Sequence, residues 1–187
     1  MIDIQTTLEK FTNTCKKYSL AGSFEPVGDL DKAFPSKLPR STELDFFYKN
    51  YNPLGLKIET GFTPIKIPAL ADLDKAQAGY SYLPDHYLVI GDDVGGGKPI
   101  IAATCDKDTP IYVNYDVGQP FKIADSFNDF IMSLIELIEL VYGRYEIFDI
   151  ADDNDEIKES FVNELSNAVS PILGSHNFSA FYDYFYG

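Results

Sequence analysis

Tryptophan is absent from this chain, and cysteine, histidine and methionine each occur only twice. Cys15 and Cys105 stand far apart with no Cys-x-x-Cys spacing, which removes a disulfide framework and a thiolate metal site, so both read as reduced thiols. His86, in Pro84-Asp85-His86-Tyr87, and His176, beside Gly174 and Ser175, lie in no nucleophile or metal motif and read as structural or surface residues. Neither Gly-x-Ser-x-Gly nor His-Glu-x-x-His occurs, which leaves serine-hydrolase and zinc chemistry without a warrant. No run of roughly 18 apolar residues exists, and the opening residues hold no basic segment leading into an apolar stretch. The expectation is a cytoplasmic protein with no membrane partner.

Positive charge is scarce as well. Fifteen Lys and Arg stand against 29 Asp and Glu, a formal net charge of −14. Residues 1–60 hold eight acids and eight bases, residues 61–120 eight acids and four bases, and residues 121–187 thirteen acids and three bases. Such a field repels nucleic acid and favours a basic protein partner, and the basic, aromatic-interleaved surface of a nucleic-acid binder is missing. With 187 residues, 45% of them hydrophobic, the chain suits one domain with one core.

The most distinctive segment is Tyr87-Leu88-Val89-Ile90-Gly91-Asp92-Asp93-Val94-Gly95-Gly96-Gly97-Lys98-Pro99-Ile100-Ile101-Ala102, a strand pattern broken by an acidic, glycine-rich loop. It does not fit a phosphate loop. Asp92 stands where that motif needs its first glycine, Pro99 replaces the Ser or Thr that would meet magnesium, and a strand rather than a helix follows. A tight connection between neighbouring strands is the simpler reading. Asp92 and Asp93 are adjacent carboxylates, but with no third acid or histidine placed by motif they specify neither a cation site nor a catalytic dyad.

Ile4, Leu8, Phe11, Cys15 and Tyr18 form one stripe of a helix that Gly22 is expected to close, and residues 22–37 read as loop or a short helical turn. A second helix starts near Ser41 or Thr42, with Thr42 and Asp45 at capping-box spacing and Leu44, Phe47, Tyr48 and Tyr51 inward. Strands are expected over Leu56–Glu59 and Phe62–Ile67, the second an edge strand because of Pro64, and a helix over Ala69–Ala78. Strands Tyr87–Ile90, Pro99–Thr104 and Ile111–Tyr115 follow at separations too short for βαβ units. Ser126 or Asp125 caps the longest apolar helix, and Ile157, Phe161, Leu165 and Val169 repeat at helical spacing before Pro171. The fold class is therefore α+β: a mainly antiparallel or mixed central sheet covered by helices, in a single domain. Phe178, Phe181, Tyr182, Tyr184, Phe185 and Tyr186 make a C-terminal tail that either packs on its own domain or lies in a homo-oligomer or partner contact.

Asp149, Asp152, Asp153, Asp155 and Glu156 form the densest acidic cluster, but they lack the glycine and terminal glutamate of a calcium loop. Asp152, Asp153 or Asn154 is expected to cap the following helix, leaving a solvated acidic face. The same five residues, with Asp92 and Asp93 as secondary contacts, are the candidate partner surface.

Three features in order resemble the SUKH superfamily, which includes fungal cell-wall assembly regulators and many bacterial proteins. They are Leu38-Pro39 leading to Phe46-Phe47-Tyr48 and Asn50-Tyr51-Asn52-Pro53-Leu54-Gly55; Val89-Ile90-Gly91 with its glycines; and Ile111-Tyr112-Val113 followed by Ser126-Phe127-Asn128-Asp129-Phe130-Ile131. They span about residues 34–141, with residues 142–187 as a helical and aromatic extension. The chain differs in lacking tryptophan and in carrying Lys98-Pro99, where members often have an acidic residue. The resemblance implies a non-enzymatic immunity protein that binds and neutralises a toxin, often a nuclease, with no cofactor or metal. The alternative it leaves open is an intracellular regulatory or scaffold protein of the cell-wall regulator type.

Overall fold

Short apolar segments ended by turn residues pair with one another in chain order. The computed structural model describes residues 3–115, 118–147, 149–154 and 156–187. Its seven strands are β1 (Ala21–Glu25), β2 (Asn52–Ile58), β3 (Ile65–Ile67), β4 (Tyr87–Asp93), β5 (Ile100–Ala103), β6 (Ile111–Val113) and β7 (Phe121–Ala124). They form one sheet in the order β1 to β7 with every neighbouring pair antiparallel, so the connectivity is a meander and the class is α+β. The glycine-rich loop joins β4 to β5, adjacent strands in the sheet.

Helix α5 (Phe127–Gly143) is the centre of the core. Phe127, Phe130, Ile131, Leu134, Ile135, Leu137, Ile138 and Val141 are all buried, because α1 (Ile4–Lys17) and α6 (Glu159–Tyr186) pack beside it. Ser126 caps it by accepting the Asp129 N–H at 2.9 Å. Helix α3 (Thr42–Tyr51) joins the same layer through Phe47, whose ring lies 5.5 Å from that of Phe127. The remaining helices are short: α2 (Leu30–Ala33), and α4 (Leu73–Ala76) continuing a 3-10 turn over Leu70–Asp72.

Several sequence expectations need correction. Helix α1 stops at Lys17 with Tyr18 as its C-cap, and Gly22 lies inside β1, an edge strand within a stretch read as loop. Helix α3 is capped by Ser41, which accepts the Leu44 N–H, so Thr42 and Asp45 make no capping box and Asp45 pairs with Arg40 instead. Pro64 precedes β3, which is an interior strand between β2 and β4; Phe62 lies outside any strand. The expected helix over 69–78 is a 3-10 turn plus one α-helical turn. Strand β7 carried no expectation.

The C-terminal half departs most. Helix α6 begins at Glu159 with Lys158 as its N-cap, so none of Asp152, Asp153 or Asn154 caps it. It runs past Pro171 and breaks at Gly174, whose φ of 74° and ψ of 159° are outside helical space. The second segment turns the aromatic tail back onto its own domain. Phe181, Tyr184, Phe185 and Tyr186 are buried there, while Phe178 and Tyr182 are half-buried.

Candidate protein interface

Residues 91–98 fold around their own carboxylates. Asp92 and Asp93 both accept the Lys98 N–H at 3.0 Å, and Asp93 also accepts the Gly95 N–H at 3.0 Å. The Tyr80 hydroxyl donates to Asp92 at 2.6 Å and accepts from the Gly97 N–H at 3.1 Å, while the Gly96 N–H reaches the Asp93 carbonyl. The amides that would cradle a phosphate are thus already occupied, the physical counterpart of the motif's failed spacing. Burial pushes the Asp92 carboxyl above its ordinary range, and the neighbouring Asp93 adds to this against the opposing bonds from Tyr80 and Lys98. From the helix layer, the buried Tyr184 hydroxyl donates to the Lys98 carbonyl at 2.7 Å.

The acidic cluster builds a second closed loop. Ala151 and Ile157 form an isolated antiparallel bridge, and between them Asp152 accepts the Asn154 and Glu156 N–H groups at 2.8 and 3.1 Å. These bonds hold the Asp152 carboxyl below its usual range. Asp149 pairs with Lys158 at 2.5 Å. Asp153 and Glu156 are exposed, and Asp155 lies outside the described residues.

Specific contacts bring these two loops to one end of the sheet. The β2–β3 turn is the link: the Val94 N–H donates to the Pro64 carbonyl at 2.9 Å, and the Tyr186 hydroxyl donates to the Thr60 carbonyl at 2.9 Å. Gly61 sits so close to the acidic loop that a Cβ there would lie 2.5 Å from the Ile147 carbonyl oxygen and 2.5 Å from Ile150. Phe62 follows it, between the two loops. Among the described residues three large apolar side chains are strongly exposed: Phe62 at 54%, Tyr82 at 49% and Val94 at 40%. Two of these three, Phe62 and Val94, stand at this end beside the loops that carry the acidic residues, and the Lys66 ammonium reaches the Val94 carbonyl at 3.5 Å.

Sequence reading singled out neither Phe62 nor Val94. The sequence pattern puts Phe62 inside a strand, and Val94 stands among glycines, although a lone β-branched apolar residue in an acidic loop is itself a signal. Among the described residues no group of three or more His, Cys, Asp or Glu is placed to hold a metal ion. Among them, too, no helix is long and apolar enough to cross a membrane. Both cysteines are free, and burial pushes the Cys15 thiol up to about 12.

The SMI1 / KNR4 family (SUKH-1) model matches residues 29–133, more than half of the chain. The chain belongs to the SMI1 / KNR4 family. The matched span runs from just before α2 to midway along α5, so it takes in β2 to β7 and the glycine-rich loop but neither β1 nor α6. A search of curated proteins finds no match.

Proposed function

We propose that this SUKH-1 protein is a non-enzymatic, cytoplasmic immunity protein that neutralises a basic toxin, with a nuclease as the fitting class. The exposed Phe62 and Val94 beside the acidic loops carry this reading, since apolar anchors at the centre of a contact supply most of the binding energy and rim charges set encounter rate and specificity. Asp149, Asp152, Asp153 and Glu156 would form the rim on one side, and Asp155 joins them from its place in the sequence. Asp92 and Asp93 add field on the other and fix the loop that presents Val94. A nuclease needs a cationic surface to hold its substrate, and an anionic cover over that surface competes for it directly.

The test is genetic and biochemical together. Products of the genes flanking the coding gene are expressed alone and with this chain. The reading expects one product to arrest growth, co-expression to restore it, and a stoichiometric complex to be recovered. Restoration should fail for the Phe62→Ala/Val94→Ala double variant while its thermal melt stays native-like. Several partners without any toxic product would favour the regulatory or scaffold reading instead.

A further inference from the structure

Strands β3 and β4 pair over only two residues, Ile65 with Asp93 and Lys66 with Asp92, and then diverge. The Gln77 side chain stands in for the missing strand, accepting the Val89 N–H at 2.9 Å and donating to the Val89 carbonyl at 3.0 Å. Between the divergent strands and the α4 segment lies a cleft of about 610 Å³, within the usual range for small-molecule sites. Its walls are largely apolar, with Ile67, Pro68, Ala69, Ala76 and Ala78 among them.

Three lysines and two carboxylates, Asp72 and Asp92, line the cleft. Lys57 and Lys66 are direct cross-strand partners, and Lys75 comes from α4 opposite them. Because Leu56 and Ile67, the adjacent pair, face the helix-covered core, the two lysines share the other face of the sheet. Like charges directly opposite on a sheet are unfavourable unless something neutralises them. Lys57 has Glu59 at 2.5 Å and Lys75 has Asp72 at 3.4 Å, but Lys66 has no carboxylate partner among the described residues and reaches the Val94 carbonyl at 3.5 Å. Asp92, its cross-strand neighbour, is engaged by Tyr80 and the Lys98 N–H. In a chain of net charge −14, Lys66 is therefore the cation at this apolar cleft that has no carboxylate partner among the described residues.

We infer that this cleft binds a small anionic amphiphile, with one acidic head group held by Lys66 and Lys57 and an apolar body lying on Pro68 and on Ala76 and Ala78 of the α4 wall. Charge complementarity selects the head, and a largely apolar wall of this size takes the body. The inference does not rest on the toxin-binding reading, although Asp92 and Val94 line this cleft too, and its assay needs no protein partner.

The probe is decanoate, well below its micellar range, titrated by calorimetry and by amide chemical shifts of the full chain. Saturable one-to-one binding is expected, with shifts at Ala69, Ala78 and Gly91. Lys57→Ala/Lys66→Ala, which removes the exposed Lys66 and the half-buried Lys57 without touching the core, should weaken it about tenfold. Ala76→Phe, which fills the cleft and keeps every charge, should abolish it; native amide spectra of both variants confirm folding. Decyltrimethylammonium should not bind. Absence of saturable decanoate binding overturns the inference, as does equal binding of decanoate and the cation, or affinity unchanged in the lysine variant. An acidic, apolar peptide that displaces decanoate and binds more tightly also overturns it, by assigning the cleft to a protein segment.

Discussion

Three tyrosine hydroxyls in this protein meet three different fates. Tyr48 is fully buried with no hydrogen-bond partner for its oxygen among the described residues, Tyr184 is as deeply buried but donates to Lys98, and Tyr80 bridges Asp92 and Gly97. Burial raises the pKa of all three, so each stays neutral across the working pH range. Their contributions to stability differ in sign. An unpaired buried hydroxyl carries its desolvation cost with no return, so Tyr48→Phe should raise stability by about 1 kcal/mol. Tyr184→Phe strands the Lys98 carbonyl and should lower it by about 1–2 kcal/mol. Urea melts of the two variants decide the matter, because the account requires opposite shifts in midpoint with unchanged slope.

At the scale of elements, legibility followed periodicity. The stripe of α5 was read correctly because eight buried positions repeat at helical spacing, and β4, β5 and β6 because their apolar runs are bounded by turn residues. Strand β1 was missed because Ala-Gly-Ser-Phe-Glu is an edge segment with no buried alternation, and β7 because four residues are too few to display a period. The Asp152 capping expectation failed for a local reason. Asp152 spends its side chain on the turn inside the Ala151–Ile157 bridge, before the helix has begun. Of the site, the acids and the loop were legible, but Phe62 was not, since only the tertiary fold shows that it leaves the strand. Helix α6 lies beyond the matched family span, yet its last segment buries Phe181, Tyr184, Phe185 and Tyr186. Each such side chain is worth about 1.5–3 kcal/mol, and four of them rival the about 5–15 kcal/mol that holds a typical domain together. A chain ending at Gly174 should therefore show no cooperative thermal transition and no fixed aromatic circular dichroism. A cooperative melt of that truncated chain would make the tail an appendage.

At the scale of the whole molecule, charge and shape divide the surface. The end built from the β2–β3 turn, residues 91–98 and residues 149–154 carries carboxylates and the exposed Phe62 and Val94, and Val94 also lines the cleft that holds Lys57, Lys66 and Lys75. On the proposed function this arrangement attracts a basic partner at long range, an attraction screened within a Debye length of about 10 Å at 0.1 M salt. Anchors and rim should then separate in kinetics, because rim charges act on association and buried apolar contacts on dissociation. The most direct measurement is the binding kinetics of the growth-arresting gene product that the proposed function requires, from roughly 50 to 300 mM salt. The account predicts that neutralising Asp152, Asp153, Asp155 and Glu156 together slows association at low salt and flattens its salt dependence. It predicts that Phe62→Ala/Val94→Ala speeds dissociation at least tenfold, about 1.4 kcal/mol, with association nearly unchanged. Unaltered rates in both correctly folded variants would contradict it and move the interface away from this end of the sheet.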